Sequence, residues 1–384
     1  MEDHHRDNLS VPENINPATW DKVLRSVASP DERTPYLIID RDVIRDKVSQ
    51  IGSGISNSRV FYAVKANPDI SVVSFLNELG VDFEIASEGE LAILSSLGVK
   101  GERIITSNPV KSLKFLNEAV SYGVSRYAFD SLQEVEKLSL HAPGSIVYVR
   151  LNVPNEGSEW PLSKKYGVEI DDALHLLERA GDAGLRPEGL TFHVGSQCHN
   201  VYNWDMALDK SVQLWDAARE KGIELKFVNI GGGYPIKYTK DVMDISDIEA
   251  QIDRSVQTRF GSDIEVHIEP GRSVVGDSGI LVASVIGKAV RGDENWLYLD
   301  VGVFNGLMES LGGIKYSYFC DGRGEHKSWT IAGPSCDSFD VMDRDVELPE
   351  PHVGDTMLIL SCGAYTVSYA SEFNGFSIPR TIML

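Results

Sequence analysis

From about residue 59 to 269 the sequence repeats a pattern of eight short runs of β-branched or aromatic residues, each followed by a segment with helical spacing of its apolar positions. The runs lie at 59–65, 81–86, 103–107, 126–130, 145–153, 189–195, 226–231 and 265–269, with helical period at 71–79, 88–97, 112–122, 171–183 and 203–221. Such alternation predicts parallel strands covered by helices. Eight units predict an α/β chain closed into a (β/α)8 barrel, whose chemistry gathers at the C-terminal ends of the strands. Residue types suited to chemistry do fall at those ends: Lys65 after the first run, His193 and Ser196 at the sixth, 231–233 (three glycines) after the seventh, and Glu269 with Arg272 after the eighth. Beyond residue 275 the helical period fades, and 280–290, 295–301, 328–331 and 356–360 read as strands of a C-terminal β domain over 276–384. The barrel is expected over 36–275. Residues 1–35, polar and carrying Pro12, Pro17, Pro30 and Pro35, read as an N-terminal arm that joins the β domain.

A chain of 384 residues, 42% hydrophobic and 24% charged, has the balance of a folded globular protein. Its formal charge of -21 repels nucleic acid and anionic membranes and attracts a cationic small substrate, although solubility or a saline habitat accounts for the acidity equally well. The four cysteines, Cys198, Cys320, Cys336 and Cys362, have neither zinc-site nor redox-motif spacing, so reduced thiols and no metal are expected. The start lacks an apolar signal core, and no stretch approaches the roughly 20 apolar residues of a membrane span. A soluble, cytoplasmic protein is the expectation.

Lys65 ends the otherwise apolar run Phe61-Tyr-Ala-Val-Lys65. An ammonium taken out of water gives up its proton more readily, and the neutral amine attacks an aldehyde to form a Schiff base. A lysine that only reaches out to water from a strand end is the plain alternative. Gly231-Gly232-Gly233 lets backbone N–H groups approach an anion closely, as in a phosphate nest, and lacks the spacing of nucleotide-binding glycine loops; a tight structural turn has the same composition. Glu269-Pro-Gly-Arg272 pairs a carboxylate suited to a pyridinium nitrogen with a guanidinium suited to a phosphate, where a surface ion pair is the competing reading. His193-Val-Gly-Ser196 offers a flat ring and a hydroxyl, and Cys336-Asp337 sets a proton donor beside a carboxylate able to bind a cation. A satisfied core histidine is the commoner case for the first, and the second is weakly specific by itself.

Taken together, Tyr62-Ala-Val-Lys65-Ala-Asn, His193-Val-Gly-Ser196, Gly231-Gly-Gly233, Glu269-Pro-Gly-Arg272, Gly333-Pro-Ser-Cys336-Asp337, Gly363-Ala-Tyr365-Thr366 and Phe373-Asn-Gly-Phe376 resemble the fold-type III decarboxylases that use pyridoxal 5'-phosphate (PLP). This family includes the ornithine, lysine, diaminopimelate and biosynthetic arginine decarboxylases, on an alanine-racemase-like barrel with a C-terminal β domain. The resemblance covers about residues 35–380. It implies that Lys65 carries PLP, that His193 stacks on its ring, that Glu269 pairs with the ring nitrogen, and that Ser196, Gly232, Gly233, Arg272 and Tyr365 hold the phosphate. It also implies a head-to-tail homodimer in which Cys336 and Asp337 reach the other subunit's cofactor, the thiol protonating Cα and the carboxylate binding the distal ammonium of the substrate.

Asp337 favours the ornithine and lysine branch, because the diaminopimelate branch usually has glutamate there. Phe304 stands where the eukaryotic ornithine pattern has tyrosine, and Gly313 where it has a second substrate-binding aspartate. Phe304 and Phe373 are expected at the substrate, and Gly312 with Gly313 leaves room for lysine or a larger amino acid of siderophore or natural-product synthesis, unless Glu309 supplies the second acid. The resemblance therefore implies conversion of ornithine or lysine to a diamine, a step of polyamine synthesis. A catalytically dead regulatory homologue need not keep Lys65, the glycines and Cys336 together, and a racemase would use a tyrosine as its second base.

Overall fold

The computed structural model describes residues 11–12, 15–27, 33–160, 165–320 and 324–384. The chain divides into two compact units, one of Asp46–Pro235 with Met243–Val274, the other of the described residues through Arg45 with Ile236–Val242 and Val275–Leu384.

The first unit holds eight parallel strands: β1 Ser58–Ala63, β2 Asp82–Glu84, β3 Ile104–Ile105, β4 Arg126–Phe129, β5 Ile146–Arg150, β6 Arg186–Thr191, β7 Phe227–Asn229 and β8 Glu265–Ile268. They run in the order β3-β2-β1-β8-β7-β6-β5-β4, and a single parallel bridge from Thr106 to Tyr127 joins the two ends into a barrel. Helices Ile70–Glu78, Glu88–Ser96, Leu113–Tyr122, Leu132–His141, Ile170–Asp182, Tyr202–Glu220 and Ile245–Phe260 follow the strands, so the expected barrel is present. Polar caps start several of them: Ser112 accepts from the Phe115 N–H at 3.1 Å and Asp69 from that of Ser71 at 2.9 Å. Aromatic rings from four strands fill the barrel, with His267 stacked on Phe227 at 4.3 Å and Tyr148 and Phe61 packed edgewise or tilted beside them. Gly189 makes room for this layer, since a Cβ there would lie 2.5 Å from the Phe227 ring.

The second unit is a mixed sheet whose backbone is the long strand Gly279–Arg291. Strand Tyr36–Ile39 pairs antiparallel with its first residues and parallel with Arg380–Met383. This departs from the boundary expected at residue 36: ladder pairing places 36–39 in the sheet, and 236–242 also belong to this unit. The polar N-terminal stretch is not an irregular arm throughout. Pro17–Val27 forms a helix whose Trp20 and Val23 pack on Tyr36, Ile38 and Ile280, and proline opens it at a position where no N–H is required. The remainder of the arm, 1–10, 13–14 and 28–32, lies outside the described residues. No helix among the described residues is long and apolar enough to cross a membrane.

Candidate active site

The C-terminal rim of the barrel converges on a cavity of about 480 Å³ lined by Lys65, Glu84, Ser107, Arg150, His193 and Glu269 among others. Lys65 sits in a single 3-10 turn, Val64–Ala66, that directly follows β1. The turn lifts its side chain out of the apolar strand, and Nζ donates to Glu84 Oε2 at 3.0 Å. Glu84 ends β2, the neighbour of β1 in the sheet, and is buried. Glu90 stands one turn into the next helix and accepts the Ala86 N–H at 2.6 Å; burial, then the Glu84 charge, pushes its carboxyl up to about 7.

Glu269 follows β8 on the other side of β1, and is buried. Its Oε1 accepts from Ser107 Oγ and Asn229 Nδ2, and Ser107 Oγ also meets the Tyr148 hydroxyl at 2.8 Å. Burial and the nearby Glu84 charge raise the Glu269 carboxyl to about 7, against the pull of these two hydrogen bonds and of Lys65. His193 is driven well below the ordinary histidine range by burial and by the charges of Arg150 and Lys65, so its imidazole is neutral, with Nδ1 accepting from the Gly195 N–H at 3.0 Å. Arg150, at the end of β5, packs over the Tyr166 ring at 5.4 Å.

Beside this cavity the glycine run after β7 turns sharply. Asn229 Oδ1 accepts the Gly231 N–H at 2.9 Å, and Gly231 and Gly233 take φ of +65° and +105°. Gly232 has no such torsion, yet a Cβ on it would lie 2.4 Å from the Glu269 carbonyl oxygen. The run therefore has to be glycine to pass this close to β8. Arg272 is buried, and its guanidinium donates to Ser196 Oγ at 3.1 and 3.3 Å. Lys65, His193, Ser196, Gly232, Gly233, Glu269 and Arg272 thus all occupy one rim.

The other five expected residues lie in the second unit. There Phe304 and Phe373 pack ring to ring at 4.9 Å, Asn374 Oδ1 accepts the Cys336 N–H at 3.0 Å, and the Phe304 carbonyl accepts from the Ser371 N–H at 2.8 Å. Cys336 is exposed, and Asp337 Oδ1 accepts the Phe339 N–H at 2.9 Å. Buried Asp340 fixes this turn by accepting the Val303 N–H at 2.8 Å and the Ser335 N–H at 2.9 Å; Gly302 and Gly333 leave it the space. Tyr365, at φ +60°, stacks on Tyr369 at 5.5 Å.

Glu84, Glu90, Ser107, Arg150 and Asn229 are not among the residues singled out from sequence. Four of these five stand at, or one or two residues past, the end of a barrel strand, the same signal that marked Lys65. Glu90 shows no such mark, since its place depends on the fold of the following helix.

Residues 41–276 match the family described as "Pyridoxal-dependent decarboxylase, pyridoxal binding domain". The chain is 38% identical over 356 residues to the lysine/ornithine decarboxylase of Selenomonas ruminantium, covering 91% of this chain and 89% of the relative. Among solved structures, SrLDC in complex with PLP and cadaverine superposes with a TM-score of 0.88 at 36% identity, over 95% of this chain and 93% of the other. The lysine/ornithine decarboxylase of Vibrio vulnificus complexed with putrescine gives 0.88 at 31%, over 96% and 99%. With a profile that spans more than half of its length and a curated relative aligned over nearly all of it, this chain belongs to the pyridoxal-dependent decarboxylases.

Proposed function

We propose that the protein is a PLP-dependent decarboxylase that converts a basic L-amino acid, lysine or ornithine, to the corresponding diamine, acting as a cytoplasmic homodimer. The observation that carries this reading is the set of Lys65, His193 and Glu269 around one cavity, with a glycine run beside it that tolerates no Cβ. Those residues fit the cofactor: the Lys65 amine for its aldehyde, a neutral imidazole face for its ring, Glu269 for its ring nitrogen, and Ser196, Gly232, Gly233 and Arg272 for its phosphate, a role the family resemblance gives to Tyr365 as well. When bound, PLP supplies a protonated ring that accepts the electron pair left as carbon dioxide departs.

The remaining work falls to the chain's own groups. Lys65 has to lose a proton before it can bond to carbon, and Glu84 Oε2 at 3.0 Å is in place to take it. Ser107 and Asn229 hold Oε1 of Glu269 and so fix the plane of the carboxyl that would pair with the ring nitrogen. The Cys336 thiol then returns a proton to Cα, and the Asp337 carboxylate binds the distal ammonium, both contributed across the homodimer interface. Four free cysteines suit a reducing compartment.

A panel of lysine, ornithine, arginine and diaminopimelate, scored by carbon dioxide release, tests the proposal. Turnover of lysine and ornithine well above the other two is expected. Release from diaminopimelate alone, or from none of the four, would move the substrate to that branch or to a larger amino acid.

A further inference from the structure

A second lysine is buried close to the active-site rim, and nothing in the proposed chemistry uses it. Lys111 lies in the loop between β3 and helix Leu113–Tyr122, and its side chain is fully enclosed. An ammonium removed from water in this way needs its protons matched. They are. Nζ donates to the carbonyls of Asn108 at 3.1 Å, Pro109 at 3.0 Å and Ala128 at 2.6 Å, and lies 2.9 Å from Glu134 Oε1. The Lys111 N–H donates to the same carboxylate at 3.2 Å, and Lys137 closes the network by pairing with Glu134 Oε2 at 2.6 Å and donating to the Lys111 carbonyl at 2.6 Å.

The position of this network matters. β3 has only two residues, and the barrel closes between β3 and β4 through the one bridge at Thr106. Lys111 spans this weakest seam, because Asn108 and Pro109 are on the β3 loop while Ala128 is on β4 and Glu134 on the helix that follows. The loop it holds carries Ser107, whose Oγ donates to Glu269 and whose N–H donates to Glu84 Oε1 at 3.4 Å.

We infer that Lys111 is a positioning residue whose buried ammonium clamps the β3 loop across the barrel seam, so that Ser107 stays hydrogen-bonded to Glu269. The inference rests on the role proposed for Glu269 at the cofactor ring. The clamp requires the charged form. Burial lowers the Lys111 ammonium to about 8, against the raising effect of Glu134 and Asp130, with Lys137 adding to the lowering. The clamp therefore holds below that pH and loosens as pH rises through it.

The test uses the holoenzyme with Lys111→Met, Ser107→Ala and the double variant, followed by kinetics and by amide hydrogen exchange. If the clamp acts through Ser107, each single variant loses about 10- to 100-fold in kcat with KM within about threefold, and the double variant is no worse than the worse single. Exchange of the Ser107, Asn108, Val110 and Lys111 amides rises at least about tenfold in Lys111→Met, with or without PLP, while the other strand-end amides keep their protection. Losses that multiply in the double variant, or loop amides that stay protected, would overturn the inference. The exchange result does not depend on which amino acid is the substrate, so failure of the substrate proposal would leave it standing. Should Lys111→Met not fold, Glu134→Gln keeps an oxygen acceptor but removes the charge that sustains the ammonium. The alkaline limb of its kcat profile is then expected about one pH value below that of the wild type, and an unmoved limb would sink the inference.

Discussion

Replacing Glu90 by glutamine is expected to stabilise the cofactor-free protein at pH 8 and to change it far less near pH 5. In the unfolded chain this carboxyl titrates near its ordinary 4.5, whereas in the folded barrel burial and the Glu84 charge hold it up to about 7. The folded state therefore binds more protons between these values, so stability is highest below the lower one and falls as pH rises to the upper one, then levels off. A shift of this size corresponds to on the order of 3 kcal/mol for a fully buried group. Glu90 keeps partial access to solvent, which reduces the expected gain to about 1–2 kcal/mol. Glutamine preserves the acceptor for the Ala86 N–H, so the substitution removes the charge without opening a cap. Urea unfolding at a series of pH values from 5 to 8 reads the effect as a rising midpoint at constant slope. Glu269 is raised in the same sense and keeps part of the wild-type pH dependence, so the variant should flatten the curve without abolishing it. Parallel curves for the two proteins, or a variant weaker at pH 8 than the wild type, would refute the argument.

Gly232→Ala places a methyl group 2.4 Å from the Glu269 carbonyl; it should cost about 1–3 kcal/mol of stability and weaken PLP binding at least about tenfold, read by absorbance titration of the apoprotein. Asp337→Asn should lower kcat/KM for lysine and ornithine by about 10- to 100-fold, since a charge-assisted hydrogen bond is worth about 1.5–3 kcal/mol, with PLP affinity unchanged. Cys336→Ala is expected to retain the bound-cofactor spectrum while slowing or diverting product formation; an unchanged amine yield would remove the thiol from the reaction.

The barrel was legible because its strands are buried on both faces and therefore read as short apolar runs, while the helices between them keep a 3.6-residue period. Boundaries came within a few residues in most elements, as for 71–79 against Ile70–Glu78. The sheet unit was harder. Strand Tyr36–Ile39 looks like the entry to the barrel because sequence shows its apolar run but not its partner, and its ladder with Gly279–Val282 is fixed only by the tertiary fold. Val341–Pro349 carries Asp343, Arg344, Asp345 and Glu347, and a half-exposed strand with this many charges has no apolar run to recognise.

The site shows the same division. Each strand end carries its own signal in the sequence, which marks Lys65 and Glu269 but not which ends meet. In the closed barrel β1 lies between β2 and β8, so Lys65 falls between Glu84 and Glu269, residues far apart in sequence. This adjacency sets Glu84 within hydrogen-bond reach of the lysine on one side, and on the other a carboxyl that burial and the Glu84 charge raise to about 7. It also explains why Ser107 matters although a lone serine in a loop carries no signal. It reaches the Glu269 carboxyl from the end of β3, a two-residue strand joined to β4 by a single bridge, so strand pairing alone holds its loop weakly. A buried cation is a costly way to fix backbone unless that backbone has to be in one place. The Lys111 network binds three carbonyls at the seam, which is what a site dependent on the Ser107 contact requires.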